Sequence, residues 1–134
     1  MTECRVKPKL LIVEDDKENQ KFLKIFLRKI YDLDFCDSEE TFYLKLKDNV
    51  FDIILMDISL KGTKDGLQLT RELRQNPFLK NIPVLGLSAH AYQRDIEEAY
   101  EAGVDMFITK PVRGNILLES LSSTLEKRAG SKLN

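Results

Sequence analysis

The sequence predicts an α/β protein built on a doubly wound, five-stranded parallel sheet, and three observations carry that expectation. Short strand-like runs alternate five times with segments of helical period. The inner runs Leu10-Leu11-Ile12-Val13 and Ile53-Ile54-Leu55-Met56 are apolar at every position. That pattern means burial on both faces, as in a parallel sheet covered by helices. Capping and turn residues separate the segments at the points where each period changes. In such a sheet the crossovers are right-handed and ligands bind beyond the carboxyl ends of the strands.

The elements follow in order. Residues 9–14 form a strand ending in acids. Residues 17–30 form a helix, with Phe22, Ile25, Phe26 and Ile30 recurring at three- and four-residue steps. Residues 33–36 form a short second strand. Ser38 is an N-cap, followed by Glu39, Glu40 and Thr41 in the first turn of a helix that runs to about residue 48. Residues 51–56 are the third strand. Residues 59–65 are a polar loop holding Gly62, and residues 66–74 form a helix with Leu67, Leu69 and Leu73 apolar, ended by Asn76-Pro77. Residues 82–87 are strand four. Residues 91–102 are helix four, stopped by Gly103 just past its end. Residues 104–108 are strand five, and residues 112–127 are helix five, with Ile116, Leu117, Leu121 and Leu125 on its inner stripe. One domain over residues 8–127 is expected, between an N-terminal tail (1–7) and a frayed C-terminal tail (128–134).

Composition removes several function classes. The 134 residues carry 21 Lys+Arg and 22 Asp+Glu, a net charge of -1, which offers no basic excess for direct nucleic-acid binding. The longest apolar runs are four residues, far below a membrane span, so no membrane insertion is expected. The N-terminus has no apolar signal core. Cys4 and Cys36 make no disulfide framework: Cys36 reads as a small strand residue and Cys4 as a thiol on the tail. Cytoplasm is the expected location.

Chemistry is expected at the strand ends. Strand one ends in Glu14-Asp15-Asp16, strand three in Asp57, strand four in Ser88, and strand five in Thr109-Lys110-Pro111. Several carboxylates at one sheet edge repel one another, and a hard cation such as Mg²⁺ relieves that repulsion through oxygen ligands. A lysine and a hydroxyl in the same cleft suit a phosphoryl group. Together they suit phosphoryl transfer, in which an aspartate can be the nucleophile and form an acyl phosphate. Each piece alone has an ordinary explanation: a solvated acidic turn, an Asp that starts a turn, a proline that opens a helix. Their joint occurrence, in order on four strand ends, is what points to a site.

The sequence resembles receiver domains of two-component response regulators. The stretches that carry the resemblance are Leu10-Leu11-Ile12-Val13-Glu14-Asp15-Asp16, Ile54-Leu55-Met56-Asp57-Ile58-Ser59-Leu60, Asp65-Gly66, Val84-Leu85-Gly86-Leu87-Ser88-Ala89, Ala102-Gly103-Val104-Asp105 and Phe107-Ile108-Thr109-Lys110-Pro111. The resemblance implies a flavodoxin-like (βα)5 arrangement with strand order 2-1-3-4-5. It implies that Asp57 is the phosphoacceptor and that Glu14 and Asp15 hold Mg²⁺ (or Mn²⁺), Asp15 directly and Glu14 through water. Asp16 then falls one place beyond that pair, as an outer or helix-start acid. It further implies the Ser59 carbonyl as a metal ligand, Lys110 as the partner of the phosphoryl group with a cis peptide to Pro111, Ser88 as the switch hydroxyl, Phe107 as the switch aromatic, and the Ala89 amide as a phosphoryl donor.

Two departures stand out. Lys61 occupies a place where many receivers have proline, in a loop one residue longer before Asp65-Gly66, and the switch position is Ser88 where Thr is commoner. His90, two residues after Ser88, reads as an exposed loop residue, with tuning of water attack on the acyl phosphate as the sharper alternative. Tyr92, Ile96 and Tyr100 recur at four-residue steps and read equally as core or as a docking stripe. The expected partners are a histidine kinase or histidine phosphotransfer protein and a downstream protein contacting the helix 4–strand 5–helix 5 surface. The chain is expected to be a signalling domain rather than an enzyme, either standing alone or cut from a hybrid kinase. The rival reading is a Mg²⁺-dependent phosphatase with an aspartyl-phosphate intermediate. It lacks the usual second acid, because Ser59 stands two residues after Asp57. A nucleotide- or flavin-binding variant of the fold is disfavoured, since acids and no glycine loop follow strand one.

Overall fold

The computed structural model describes residues 7–59, 65–89 and 92–133, with side chains to Lys127. The elements are β1 (Lys9–Val13), α1 (Lys17–Leu27), β2 (Asp32–Cys36), α2 (Glu39–Asp48), β3 (Ile53–Asp57), α3 (Gly66–Gln75), β4 (Val84–Ser88), α4 (Gln93–Ala102), β5 (Met106–Thr109) and α5 (Gly114–Leu133). All strand pairs are parallel, in the order β2-β1-β3-β4-β5, so the expected doubly wound sheet is present.

The apolar strands divide their side chains between two cores. Leu11, Val13, Ile54 and Met56 pack beneath α2, α3 and α4 with Phe42, Leu46, Leu69, Leu73 and Ala99. Leu10, Ile12, Ile53 and Leu55 point the other way, against Leu23 and Leu27 of α1 and Leu117 and Leu121 of α5. This period-two split explains why an alternating polar face is missing from β1 and β3.

Caps fall where the sequence puts them. Ser38 and Thr41 form a capping box at α2, and Gly103 ends α4 at φ 115°, a left-handed turn that favours glycine. Two helical stripes differ from expectation. On α1, which ends at Leu27 rather than at the expected residue 30, Phe22 and Ile25 are exposed, and the buried row is Leu23 and Leu27; Ile30 is exposed in the turn beyond the helix. The apolar residues of α1 admit two overlapping rows, and the sheet covers only one side of the helix. On α5, Ile116 is likewise exposed while Leu117 and Leu121 are buried. The end of α5 also differs from the expected residue 127. Backbone helix continues to Leu133, through residues with no proline to stop it.

At the N-terminal end of the strands a buried ion pair ties three segments. Arg74 Nη2 meets Asp105 Oδ2 at 2.9 Å, its Nε donates to the Gly103 carbonyl at 2.9 Å, and its Nη1 donates to the carbonyls of Lys80 and Ile82 at 2.9 and 2.6 Å. Asp105 Oδ2 also accepts from the Val84 amide at 2.8 Å. Cys36 is buried on β2, and burial pushes its thiol up to about 12, as suits a packing residue. Cys4 lies outside the described residues.

Candidate functional site

Register assembles the site. Val13 of β1 pairs with Met56 of β3, so Glu14 and Asp57, the next residue on each strand, emerge side by side. Asp57 pairs with Leu87 of β4, and Ser88 pairs with Thr109 of β5. The Lys110 amide then donates to the Ser88 carbonyl at 2.8 Å, which carries the chain back over the strand ends. The Lys110–Pro111 peptide is cis, as the resemblance implies.

The side chains converge. Carboxylate oxygens of Glu14, Asp15 and Asp57 lie within 4.8 Å of one another. Lys110 Nζ reaches Asp57 Oδ2 at 3.3 Å and Glu14 Oε1 at 3.5 Å. Glu14 is 2% exposed and Asp57 4%. Burial, and then the Asp57 charge beside it, push the Glu14 carboxyl up to about 7. Burial pulls the Lys110 ammonium down, but Asp57 and Glu14 outweigh it and hold it above the ordinary lysine range. Lys110 thus faces the Glu14 and Asp57 carboxylates, with Asp15 beside them. A divalent cation fits this donor set: hard oxygen ligands, excess negative charge and one half-exposed acid, Asp15, that opens the cluster to solvent.

Asp16, third in the acidic run, is separate. It is the N-cap of α1, and its Oδ1 accepts from the Glu18 amide at 3.2 Å. Its own amide donates to Glu14 Oε2 at 3.2 Å, and Gln20 Nε2 donates to the Glu14 carbonyl at 2.6 Å. Gln20 therefore pins the turn that presents Glu14, a role no sequence motif revealed. The Ser59 amide donates to Asp57 Oδ1 at 2.9 Å, which orients the carboxylate.

Gly66 is a second residue whose role only the packing shows. A Cβ there would lie 2.5 Å from the Asp57 carbonyl oxygen and 2.8 Å from the Ile58 Cα. Asp65 caps α3 by accepting from the Gln68 amide at 3.0 Å. The Asp65-Gly66 pair thus starts α3 directly against the backbone that carries Asp57. The signal was visible as a matched dipeptide, but its physical reason was not.

The remaining expected residues fall around the cleft. Ser88 is buried at the end of β4, Phe107 is half-buried against the α2–α4 core, and Ala89 is exposed. Ala89, Glu14 and Lys110 line a cavity of about 480 Å³ with Asn19, Phe22, Pro111 and Val112. Tyr92 and Tyr100 are exposed and Ile96 half-buried, while Ala99 and Ala102 form the buried row of α4. That stripe is surface rather than core. His90 and Lys61 lie outside the described residues.

Five parallel strands, with acids and a lysine meeting beyond their carboxyl ends, define a doubly wound domain whose polar cleft lies at the strand ends, where this class of fold binds ligands. The model of the response regulator receiver domain matches residues 10–122. The chain belongs to the response regulator receiver domain family of two-component signal transduction. It is 34% identical to chemotaxis protein CheY-3 of Vibrio cholerae over 124 residues, 89% of this chain and 92% of that protein. It is 34% identical over 140 residues to hybrid signal transduction histidine kinase I of Dictyostelium discoideum, 94% of this chain but 8% of that kinase. Among solved structures it resembles the receiver domain of a signal transduction histidine kinase from Syntrophus aciditrophicus, with a TM-score of 0.81, 30% identity, and coverage of 90% of this chain and 91% of that one. A sensor histidine kinase receiver domain from Pseudomonas aeruginosa, whose structure has magnesium coordinated in its active-site cleft, gives a TM-score of 0.81 at 28% identity, over 90% of this chain and 99% of that one. Among the described residues no helix is long and apolar enough to cross a membrane.

Proposed function

We propose that this receiver domain accepts a phosphoryl group on Asp57 from a phosphohistidine of a histidine kinase or phosphotransfer protein. The observation that carries the reading is the buried Asp57 carboxylate, held between Lys110 at 3.3 Å and the acids Glu14 and Asp15 at the strand ends. An Asp57 carboxylate oxygen attacks phosphorus and a new O–P bond forms. The N–P bond of the phosphohistidine breaks, and its electron pair returns to the imidazole nitrogen, which takes a proton from solvent. The Ser59 amide orients the carboxylate for attack. Lys110 sits where it pairs with the phosphoryl oxygens after transfer, and the Ser88 hydroxyl and Ala89 amide are its donors across the cleft.

Mg²⁺ or Mn²⁺ would be held by Glu14, Asp15, Asp57 and the Ser59 carbonyl. When bound, such an ion supplies neutralisation of the carboxylates and of the charge on the transferring group. Phosphorylation removes a negative carboxylate from beside Lys110 and presents a phosphoryl group in its place. Ser88 and Lys110 then close on that group and Phe107 turns inward. This shifts the population of the surface formed by α4, β5 and α5, including Tyr92 and Tyr100. The downstream protein reads that surface.

The test is incubation with Mg²⁺ and acetyl phosphate, followed by intact mass. Wild type gains the mass of one phosphoryl group, and Asp57→Asn gains none. A wild-type mass unchanged with several small donors would overturn the reading, and equal labelling of both proteins would move the acceptor elsewhere. Steady release of phosphate from assorted phosphomonoesters would favour a phosphatase instead.

A further inference from the structure

The two sides of the cleft are held differently. Asp57 lies inside the ladder, where it pairs with Leu87 of β4. On β1 the last paired residue is Val13. Glu14 still donates its amide to the Cys36 carbonyl at 3.0 Å, but Asp15 stands one residue further out, in the turn between β1 and α1. Glu14 is buried and Asp15 half-buried. The sheet therefore fixes Asp57 directly and leaves the placing of Asp15 to the turn.

Gln20 of α1 holds that turn. Its Nε2 donates to the Glu14 carbonyl at 2.6 Å, while its own amide closes the first turn of α1 on the Asp16 carbonyl at 3.0 Å. The Glu14 carbonyl and the Asp15 amide belong to one rigid peptide plane, which also carries the Asp15 Cα. The side-chain bond therefore orients the plane from which Asp15 leaves the backbone. The Asp16 amide, next along the turn, donates to Glu14 Oε2 at 3.2 Å, so both acids depend on the same few bonds. The helix is anchored in turn by Leu23 and Leu27, which are buried against the sheet. Core packing thus reaches the acid pair through one glutamine amide. Glutamine suits the place because it has an N–H donor at the end of its chain, which an apolar side chain of similar length lacks.

We propose that Gln20 is a positioning residue that sets the preference of the acid cluster for Mg²⁺ over Ca²⁺. This rests on the reading of Glu14, Asp15, Asp57 and the Ser59 carbonyl as the cation site. Mg²⁺ is small and demands short, near-octahedral oxygen contacts, whereas Ca²⁺ accepts longer and irregular ones. A turn fixed through the Glu14 carbonyl keeps the Asp15 carboxylate within the narrow range the smaller ion needs. A turn without that bond lets Asp15 drift, which Ca²⁺ tolerates and Mg²⁺ does not. Gln20 touches no ion itself and acts only through the Glu14–Asp15 peptide.

The variants are Gln20→Met, which keeps the length and loses the donor, and Asp16→Ala, which loses the α1 cap and keeps the bond from Gln20. Gln20 borders a shallow groove of about 250 Å³ with Lys21 and Phe35, so methionine fits there. Dissociation constants for Mg²⁺ and for Ca²⁺ are read from amide shifts in nuclear magnetic resonance titrations, with no phosphodonor present. In Gln20→Met the Mg²⁺ constant is expected to rise about tenfold and the Ca²⁺ constant less than about threefold. Asp16→Ala, which loosens the helix start but not the Glu14–Asp15 peptide, leaves both constants as in wild type. An unchanged Mg²⁺ constant in Gln20→Met would overturn the inference. Equal weakening of both ions would also overturn it, since a loss of geometry falls on Mg²⁺ first. The same weakening of Mg²⁺ in Asp16→Ala would overturn it by tracing the effect to the start of the helix. Labelling by acetyl phosphate is scored separately. A wild type that binds Mg²⁺ yet gains no phosphoryl mass would strike the phosphoacceptor reading, while the two ion constants still decide the role of Gln20.

Discussion

At the N-terminal end of the sheet Arg74 meets Asp105 at 2.9 Å; at the C-terminal end Lys110 faces Asp57 at 3.3 Å and Glu14 at 3.5 Å. Both clusters bury charge, but the first is balanced. Arg74 pairs directly with Asp105, whose carbonyl also accepts from Lys127 Nζ at 3.0 Å, and three guanidinium nitrogens reach backbone carbonyls or the carboxylate. The second is crowded with acids: Lys110 meets two carboxylates, a third gathers beside them, and the Glu14 carboxyl is pushed up to about 7. Burial of charge alone therefore does not mark a functional site. What marks it is a gathering of carboxylates around a lysine, at a place that opens to solvent.

The balanced cluster is where a break costs most. Arg74→Met keeps most of the volume but leaves Asp105 buried without its guanidinium partner, and it frees the carbonyls of Gly103 and Ile82. Urea unfolding at neutral pH is expected to show a loss of about 3–5 kcal/mol. A loss below about 1 kcal/mol would mean the pair is no more structural than a surface bridge, and the contrast between the two ends would fail.

Gly66→Ala tests the scaffold of the acid-crowded end. The new methyl would meet the Asp57 carbonyl oxygen at 2.5 Å, so either α3 or the end of β3 moves. A stability loss of about 1–3 kcal/mol is expected, together with slower labelling by acetyl phosphate. Unchanged stability and labelling would show that the close approach does not position Asp57.

The acid-crowded end also predicts a pH dependence of its own. In the metal-free protein the Glu14 carboxyl lies near 7 against an ordinary 4.5, so the folded state binds its proton more tightly than the unfolded chain. The stability this confers is complete below about pH 4.5 and is lost as pH rises to about 7, by on the order of 2 kcal/mol. Glu14→Gln, which cannot ionise, should flatten that slope in urea midpoints measured with EDTA. An identical slope in the variant would place the titration elsewhere. Mg²⁺ should restore wild-type stability at high pH, since it binds the ionised cluster of the folded state.

How far each cluster was legible in the sequence follows the same contrast. The acids and lysine of the cleft stand at strand ends, where the apolar runs stop, so the order of runs and helices brings Glu14, Asp57, Ser88 and Lys110 to one sheet edge without coordinates. The parallel sheet is legible for the same reason: β1 and β3 are apolar at each position because helices cover both faces. Arg74 and Asp105 give no such sign. They lie in a helix and a loop, and only the tertiary turn after α4 joins them. Gln20 was silent, because it acts through a backbone carbonyl, and Gly66 showed only as a matched dipeptide, because its role lies in an absent methyl. The exposed Phe22 and Ile25 misled for a different reason. Helical spacing defines a row but not which side of the helix the sheet takes, and Leu23 and Leu27 offered a second row.

Asp16 gives the smallest and most selective test, because it stands beside the acid-crowded cluster without belonging to it. Its carboxylate accepts from the Glu18 amide and caps α1, while Glu14 and Asp15 turn towards Asp57. Asp16→Ala removes the cap but keeps the amide that donates to Glu14 Oε2. The expected loss is about 1 kcal/mol in urea unfolding, with no change in the Mg²⁺ concentration needed for half-maximal labelling by acetyl phosphate. Asp15→Asn should do the reverse: little effect on stability and a large rise in the Mg²⁺ requirement. If Asp16→Ala instead raised the Mg²⁺ requirement as much as Asp15→Asn, the boundary of the site would have to be redrawn to include the helix cap. The run of three acids would then act as one ligand set rather than as two ligands and a structural neighbour.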